Sequence, residues 1–220
     1  MDSFDRLRER MLQEQIIARG VTDPAVLAAL RAAPRHAFVD PLDQEYAYHD
    51  GPLSIGSGQT ISQPYIVALM TSLLKLQGGE IVLEVGTGSG YQAAVLAHLA
   101  AQVHTIERHV DLAGRSRRIL HDLGLHNVTV HLGDGTLGLP EFAPYPAILV
   151  TAAAPRPPQP LLDQLAPGGR LVLPVGGRGE QTLQVWQRRA GGFAHRTVIP
   201  VAFVPLIGAQ GWPEEPGEPE

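Results

Sequence analysis

The stretch Ile81 to Gly90, I-V-L-E-V-G-T-G-S-G, constrains this chain more than any other. A short run of buried-type strand formers suits the centre of a parallel sheet. It runs directly into glycines at alternate positions, Gly86, Gly88 and Gly90. Alternate glycines let the backbone turn tightly and approach a ligand where a Cβ would obstruct. The A-A-V-L-A-H-L-A that follows reads as a helix whose N-terminus points back at that turn. Strand, glycine loop and helix together predict the nucleotide-binding end of a doubly wound α/β sheet.

Upstream, Phe4, Leu7, Met11, Leu12 and Ile16 recur at helical spacing, with Gly20 as a stop. A second helix follows, capped by Thr22 or Asp23, with Pro24 in its first turn and Pro34 at its end. From Asp40 to Gln63 regular periodicity is weak, which predicts a long functional loop. Pro64 opens a helix carrying Ile66, Leu69, Met70, Leu73 and Leu74, so Ser62 falls at its N-cap or one residue before. Two readings of Ser62 stand side by side: a helix cap, or a hydroxyl that receives an anion beside free helix amides.

Downstream, strands are expected over Val103–Glu107, Asn127–Leu132, Pro146–Thr151 and Arg170–Val175. Helices are expected over Val110–Leu123 and Leu161–Leu165. T-L-Q-V-W-Q-R and R-T-V-I-P-V-A-F-V-P-L alternate as antiparallel edge strands do. The expected fold is therefore a mostly parallel, doubly wound Rossmann-like sheet with antiparallel C-terminal edge strands and N-terminal helices. The proline- and glutamate-rich segment from Gly208 onward reads as a disordered tail.

The glycine spacing is G-x-G-x-G, not the G-x-G-x-x-G of dinucleotide folds, and Glu84 stands two residues before the first glycine. A carboxylate there would repel a pyrophosphate but suits S-adenosylmethionine, which carries a sulfonium and an ammonium and no phosphate. Glu107, at the end of the next strand, is placed to hold two ribose hydroxyls. Asp134, after a third strand, is placed to reach an adenine amino group. Each acid alone is more often a cap or a solvated loop residue; in this order they favour a methyltransferase over a dehydrogenase.

The remaining composition narrows the class by exclusion. With no cysteine there are no disulfides, thiol nucleophiles or thiolate metal sites. Nine histidines include no pair at the i, i+4 spacing of a zinc helix, so no metal is expected. A net charge of −5 gives no electrostatic reason to expect nucleic acid or an anionic membrane. The absence of an apolar span or of a signal-peptide core predicts a cytoplasmic protein.

Several segments resemble the protein-L-isoaspartate O-methyltransferases: I-G-S-G-Q-T-I-S-Q-P, L-E-V-G-T-G-S-G-Y-Q-A-A-V-L-A, H-N-V-T-V-H-L-G-D-G, P-G-G-R-L-V-L-P-V-G, F-V-P-L and P-R-H-A-F-V. The glycine loop marks only the wider S-adenosylmethionine-dependent superfamily; T-I-S-Q-P is the specific signal. The resemblance implies methyl transfer from S-adenosyl-L-methionine to the free α-carboxylate of L-isoaspartyl residues in damaged proteins. The resulting ester collapses to a succinimide, which begins repair, and S-adenosyl-L-homocysteine is the other product.

The resemblance also implies Ser62 as the active-site residue and a monomeric enzyme. It gives Glu84, Gly86, Thr87, Gly88, Gly90, Glu107, Arg108, Asp134 and Gly135 as cofactor contacts. Ile55, Gly56, Gln59, Thr60, Ile61, Val204, Pro205 and Leu206 would close over the peptide. A single unit over residues 1–208 is implied, with helices and substrate loop in 1–80, the cofactor sheet in 81–208, and a tail at 209–220. A carboxylate acceptor is already ionised at neutral pH, so catalysis needs alignment and no general base. Two alternatives remain from sequence: a methyltransferase of this fold acting on another substrate, and a binding protein that keeps the cofactor fold without turnover.

Overall fold

The computed structural model describes residues 3–177 and 179–214. The first helix, α1 (Ser3–Met11), widens into one π-helical turn at Leu12–Ile16 and tightens into a 3₁₀ turn at Ile17–Arg19. It stops at Gly20, whose φ of 87° is open to glycine at little cost. Helix α2 (Pro24–Ala32) is capped by Asp23, whose side chain accepts from the amides of Ala25 at 3.0 Å and Val26 at 3.4 Å. Pro24 occupies its first turn, as expected.

The segment 40–63 is more regular than its sequence suggests. Asp40 caps a 3₁₀ helix, Pro41–Tyr46, and strands β1 (Leu53–Gly56) and β2 (Gln59–Ile61) form a hairpin. Ser57 and Gly58 both have positive φ, 50° and 66°, which is the primed two-residue turn that matches strand twist. Strands of four and three residues are too short to display periodicity, so the expected long loop is corrected to a hairpin.

Helix α3 (Pro64–Leu74) leads to β3 (Ile81–Val85) and α4 (Tyr91–Ala97). Next come β4 (Gln102–Glu107), α5 (Val110–Asp122), β5 (Val128–Leu132), β6 (Tyr145–Val150) and α6 (Gln159–Asp163). Strands β7 (Leu165–Gly177), β8 (Glu180–Arg189) and β9 (Gly192–Val201) complete the sheet. Its order is β5-β4-β3-β6-β7-β8-β9. The pairs from β5 to β7 are parallel, and β7-β8 and β8-β9 are antiparallel. The expected class is borne out.

Two boundaries shift. The helix expected at Leu161–Leu165 begins two residues earlier, and Leu165 already pairs with Tyr145 as the start of β7. Between that pair and Ala147–Arg170 the register slips around Gly168 and Gly169. A Cβ on Gly169 would lie 2.8 Å from the Ala166 carbonyl oxygen and 2.9 Å from that of Tyr145.

Alternation along the strands divides the core. Val82, Val103, Leu149 and Val172 face α3 and α4, with Met70, Leu74 and Leu96. Leu83, Val85, Ile148, Val150, Leu171 and Leu173 face the side covered by α6 through Leu161 and Leu162. The N-terminal helices pack through Met11, Leu12, Ile16 and Leu30 with Ile55, Ile61, Tyr91 and Leu120. Strand order reverses between β3 and β6, so the C-terminal ends of these strands form the topological switch point, where ligands bind in such sheets.

The C-terminal segment corrects another expectation. Residues 208–214 fold back onto the sheet ends: Ala209 donates to Asp134 Oδ2 at 2.7 Å, and Gln210 donates to the Thr136 hydroxyl at 3.1 Å. The Trp212 indole donates to the Ala153 carbonyl at 3.1 Å, and Arg108 pairs with Glu214. Partners far upstream in the chain, invisible to composition, order this stretch. The part of the expected tail at 215–220 lies outside the described residues.

At the β5 edge, His104 Nδ1 and His131 Nε2 are 3.1 Å apart, and His104 stacks on Phe142 at 3.9 Å between centroids. Burial lowers both imidazole pKa values, and for His104 the neighbouring His131 lowers it further. A base held below its ordinary value favours folding in its neutral form. The contribution is complete above about pH 6.5, the ordinary histidine value, and is lost as pH falls through the lowered values. Urea midpoints should therefore fall between pH 7.5 and pH 5.5, and His131→Gln should shrink that fall. An equal fall in both proteins would refute the assignment.

Candidate active site

A cleft of about 490 Å³ opens at the switch point. Its floor is the loop after β3, Gly86–Ser89; one wall is Glu107–His109 after β4, and Gly135, Thr151 and Ala152 close the base. The hairpin and its exit, Ser57–Ser62, form the opposite wall with Val204–Ile207.

The floor is backbone because the strands allow nothing else. A Cβ on Gly86 would stand 2.4 Å from Thr151 Oγ1, and one on Gly135 would stand 2.5 Å from Val85 Cγ1. The Gly86 carbonyl accepts from the Thr151 hydroxyl at 2.6 Å, and the Gly86 amide donates to the Ile106 carbonyl at 2.8 Å. Thr87 and Thr105 share a hydroxyl hydrogen bond of 2.6 Å that ties the loop to β4. Gly86, Gly88 and Gly90 have φ values of 93°, 52° and 91°.

The three strand-end acids occupy three different environments. Glu107 lines the cleft, and its carboxylate is oriented by backbone amides: Gly88 at 2.8 Å on Oε2, and Arg108 at 2.8 Å and His109 at 2.9 Å on Oε1. A carboxylate offers about four acceptor positions, so capacity remains for hydroxyls. Glu84 is completely buried beneath the loop, outside the cleft lining, and neither oxygen has a hydrogen-bond partner by distance and angle. Burial pushes its pKa up to about 8; the nearby Thr105 hydroxyl opposes this and the Glu107 charge adds to it. Asp134 accepts from the Thr136 amide and hydroxyl on Oδ1 and from Ala209 on Oδ2. It belongs to a shallower neighbouring depression with Trp212 and Pro213.

Ser62 is not a cap. The N-cap of α3 is Gln63, which makes no side-chain cap, and Ser62 precedes it on the cleft wall. No hydrogen bond to the Ser62 hydroxyl occurs among the described residues, so it is free to meet a ligand. No group of three or more metal-ligating side chains occurs among the described residues.

Residues 6–211 match the family model for protein-L-isoaspartate(D-aspartate) O-methyltransferase (PCMT). The chain belongs to this family. The protein-L-isoaspartate O-methyltransferase 1 of Syntrophobacter fumaroxidans is 55% identical over 212 residues, covering 96% of this chain and 99% of that protein. A namesake from Trichlorobacter lovleyi is 56% identical over 213 residues, covering 96% and 98%. Among solved structures, a protein-L-isoaspartate O-methyltransferase superposes with a TM-score of 0.82 at 29% identity, over 94% of this chain and 67% of that one. A family member from Plasmodium falciparum, in complex with S-adenosyl-L-homocysteine, gives 0.80 at 25% identity over 94% and 99%. The enzyme is thus a protein-L-isoaspartate O-methyltransferase that uses S-adenosyl-L-methionine and acts on isoaspartyl residues of proteins.

Within this methyltransferase the structure gathers Gly86, Thr87, Gly88, Glu107, Arg108 and Gly135 into the cleft with Gln59, Thr60, Ile61, Ser62, Val204, Pro205 and Leu206. It leaves out Glu84, Gly90 and Asp134, expected as cofactor contacts, and Ile55 and Gly56, expected at the peptide. Gly90 is the αL N-cap of α4, and Ile55 is buried in the core. Gly56, exposed, belongs to the hairpin strand β1. The sequence reading overlooked Val67, Tyr91, Gln92, Thr151 and Ala152, which also line the cleft. The strand end at T-A-A-A-P signalled the last two, because it follows the strand at which sheet order reverses.

An acid whose pKa is raised on folding supports the fold most below its unfolded value and less as pH rises towards the raised one. Glu84→Gln should therefore stabilise the ligand-free enzyme by about 1–3 kcal/mol near pH 8, and by much less at pH 5. Urea unfolding at both pH values measures it; a pH-independent difference would contradict a protonated Glu84.

Proposed function

We propose that Ser62 receives the free α-carboxylate of the isoaspartyl residue, while Gly86–Gly88, Glu107, Arg108 and Gly135 hold the methyl donor. The observation that carries this reading is the Ser62 hydroxyl, without a hydrogen-bond partner among the described residues, on the wall of the cleft whose floor is the glycine loop. S-adenosyl-L-methionine fits the residues present. The floor at Gly86 and Gly135 has no room for side chains, so a ligand there meets backbone. Glu107, fixed by three amides, is suited to a pair of ribose hydroxyls. When bound, the donor supplies a methyl group activated on a sulfonium.

The remaining demands fall on this chain. The acceptor carboxylate is ionised at neutral pH, its ordinary value lying near 4. No proton has to be removed, which suits a cleft where Ser62 and Thr60 offer hydroxyls and, among the described residues that line it, no histidine ring is hydrogen-bonded to an acid. A hydrogen bond from Ser62 to one carboxylate oxygen would leave the other directed at the methyl group, so the contribution is orientation. Val204, Pro205 and Leu206 line the same side with apolar groups. Methyl-ester formation is followed by closure to a succinimide on the substrate itself. Monomeric action in the cytoplasm, without nucleic acid, belongs to this reading; it fits the net charge of −5 and the absence of cysteine.

Methyl transfer to paired peptides differing only in isoaspartate or aspartate tests the function, with turnover expected on the isoaspartyl member alone. Ser62→Ala should lower kcat by about 10- to 100-fold, the worth of one hydrogen bond to a charged group, with affinity for S-adenosyl-L-homocysteine retained. Unchanged turnover would sink the Ser62 role. Glu107→Ala should weaken S-adenosyl-L-homocysteine binding in calorimetry, and equal affinity would remove Glu107 from the ribose site.

A further inference from the structure

The residues just outside Ser62 form a small charged rim that the reaction itself does not use. Gln63 Nε2 donates to Asp50 Oδ1 at 2.7 Å and to the Asp50 carbonyl at 3.4 Å. The Asp50 carboxylate also pairs with Arg19, through NH1 at 3.3 Å and a shorter contact from NH2. The Arg19 guanidinium lies over the Tyr65 ring, 5.0 Å from its centroid. One carboxylate thus joins the end of the first helical segment, the approach to β1 and the first turn of α3.

This arrangement is a poor source of stability. The Arg19 and Asp50 side chains are 41% and 30% exposed, and solvated pairs of that kind contribute little. Its effect on a neighbouring charge is larger than its effect on the fold, because a paired rim presents no net charge and an unpaired Arg19 would present one. The acceptor is a residue within a peptide, and the rim begins at Gln63, the chain neighbour of Ser62, which puts the Arg19 and Asp50 charges within reach of that peptide's flanks. Isoaspartate forms in many sequence contexts, and a neutral rim accepts flanks of either sign.

We propose that Asp50 is a specificity-determining residue, which neutralises Arg19 at the peptide entrance and keeps the enzyme indifferent to charge beside the isoaspartyl residue. This rests on the placement of the substrate carboxylate at Ser62. The test uses the whole enzyme and three isoaspartyl peptides identical except for Lys, Gln or Glu beside the damaged residue. Asp50→Asn keeps an acceptor for Gln63 and frees the Arg19 charge. It should raise the ratio of kcat/KM for the Glu peptide over the Lys peptide by about two- to fivefold at low salt, the scale of an exposed charge pair. The change should fade at 0.5 M salt, where the screening length is only about 4 Å.

Arg19→Gln, which leaves Asp50 unpaired, should move the ratio the other way. Affinity for S-adenosyl-L-homocysteine and the unfolding midpoint should stay unchanged in both variants. Ratios that stay at the wild-type value, or an equal loss on all three peptides, would overturn the proposal. Should Asp50→Asn fold poorly, the Arg19→Gln ratio alone decides. An unsubstituted enzyme that turned over none of the isoaspartyl peptides would instead overturn the functional reading beneath it.

Discussion

The site depends on how closely the ends of β3, β5 and β6 come together. Gly86 is pressed against Thr151 and Gly135 against Val85, each at a distance that excludes even a methyl group. The gain is a rigid floor made of peptide groups, in which the Gly86 amide and carbonyl are already committed to Ile106 and Thr151. The groups that rise around it are Glu107 on one side and the hairpin on the other. Backbone preorganised by a buried sheet costs no reorganisation when a ligand arrives, which suits a reaction whose main demand is alignment.

Environment separates residues that look equivalent in one dimension. Glu84 and Glu107 both stand at the ends of central parallel strands, and both are buried. Three amides surround the carboxylate of Glu107, which remains available in the cleft. Glu84 has none, and loss of hydration raises its pKa to about 8. One acid faces the cleft, held by amides, while the other sits beneath the loop in its neutral form around neutral pH. Asp134 takes a third part, capping the turn at Gly135–Leu137 and anchoring Ala209.

The parallel strands, the glycine loop and the start of α3 were legible because each has a local cause: buried strands read as continuous apolar runs, tight turns as glycine, helix starts as proline. Hairpin β1–β2 was not legible, since pairing of four residues with three depends on Ile55 and Ile61 finding a core contributed by the N-terminal helices. Nor was the ordering of 208–214, where the partners are Arg108, Asp134, Thr136 and the Ala153 carbonyl, many residues away. The P-R-H-A-F-V segment was legible only as a motif. Its Arg35 is fully buried, donates to the Ala47 carbonyl at 2.6 Å and stacks over Tyr91, so it links the N-terminal layer to the helix behind the glycine loop. Burial lowers its pKa only to about 10, which leaves it a cation at neutral pH.

A two-stranded hairpin is marginal on its own, and here it forms one wall of the cleft. Its inward residue Ile55 ends 3.4 Å from where a Cβ on Gly88 would be, so the hairpin rests on the glycine loop itself. At its exit, Gln63 and Asp50 hold the residues on either side of it together. The glycine loop and the hairpin are therefore neighbours through Ile55. A shift of the glycine loop would be felt at Ile55 and passed along two short strands to Ser62. On the proposed assignment of Ser62, the geometry that places the methyl donor would thereby also fix where the carboxylate can wait.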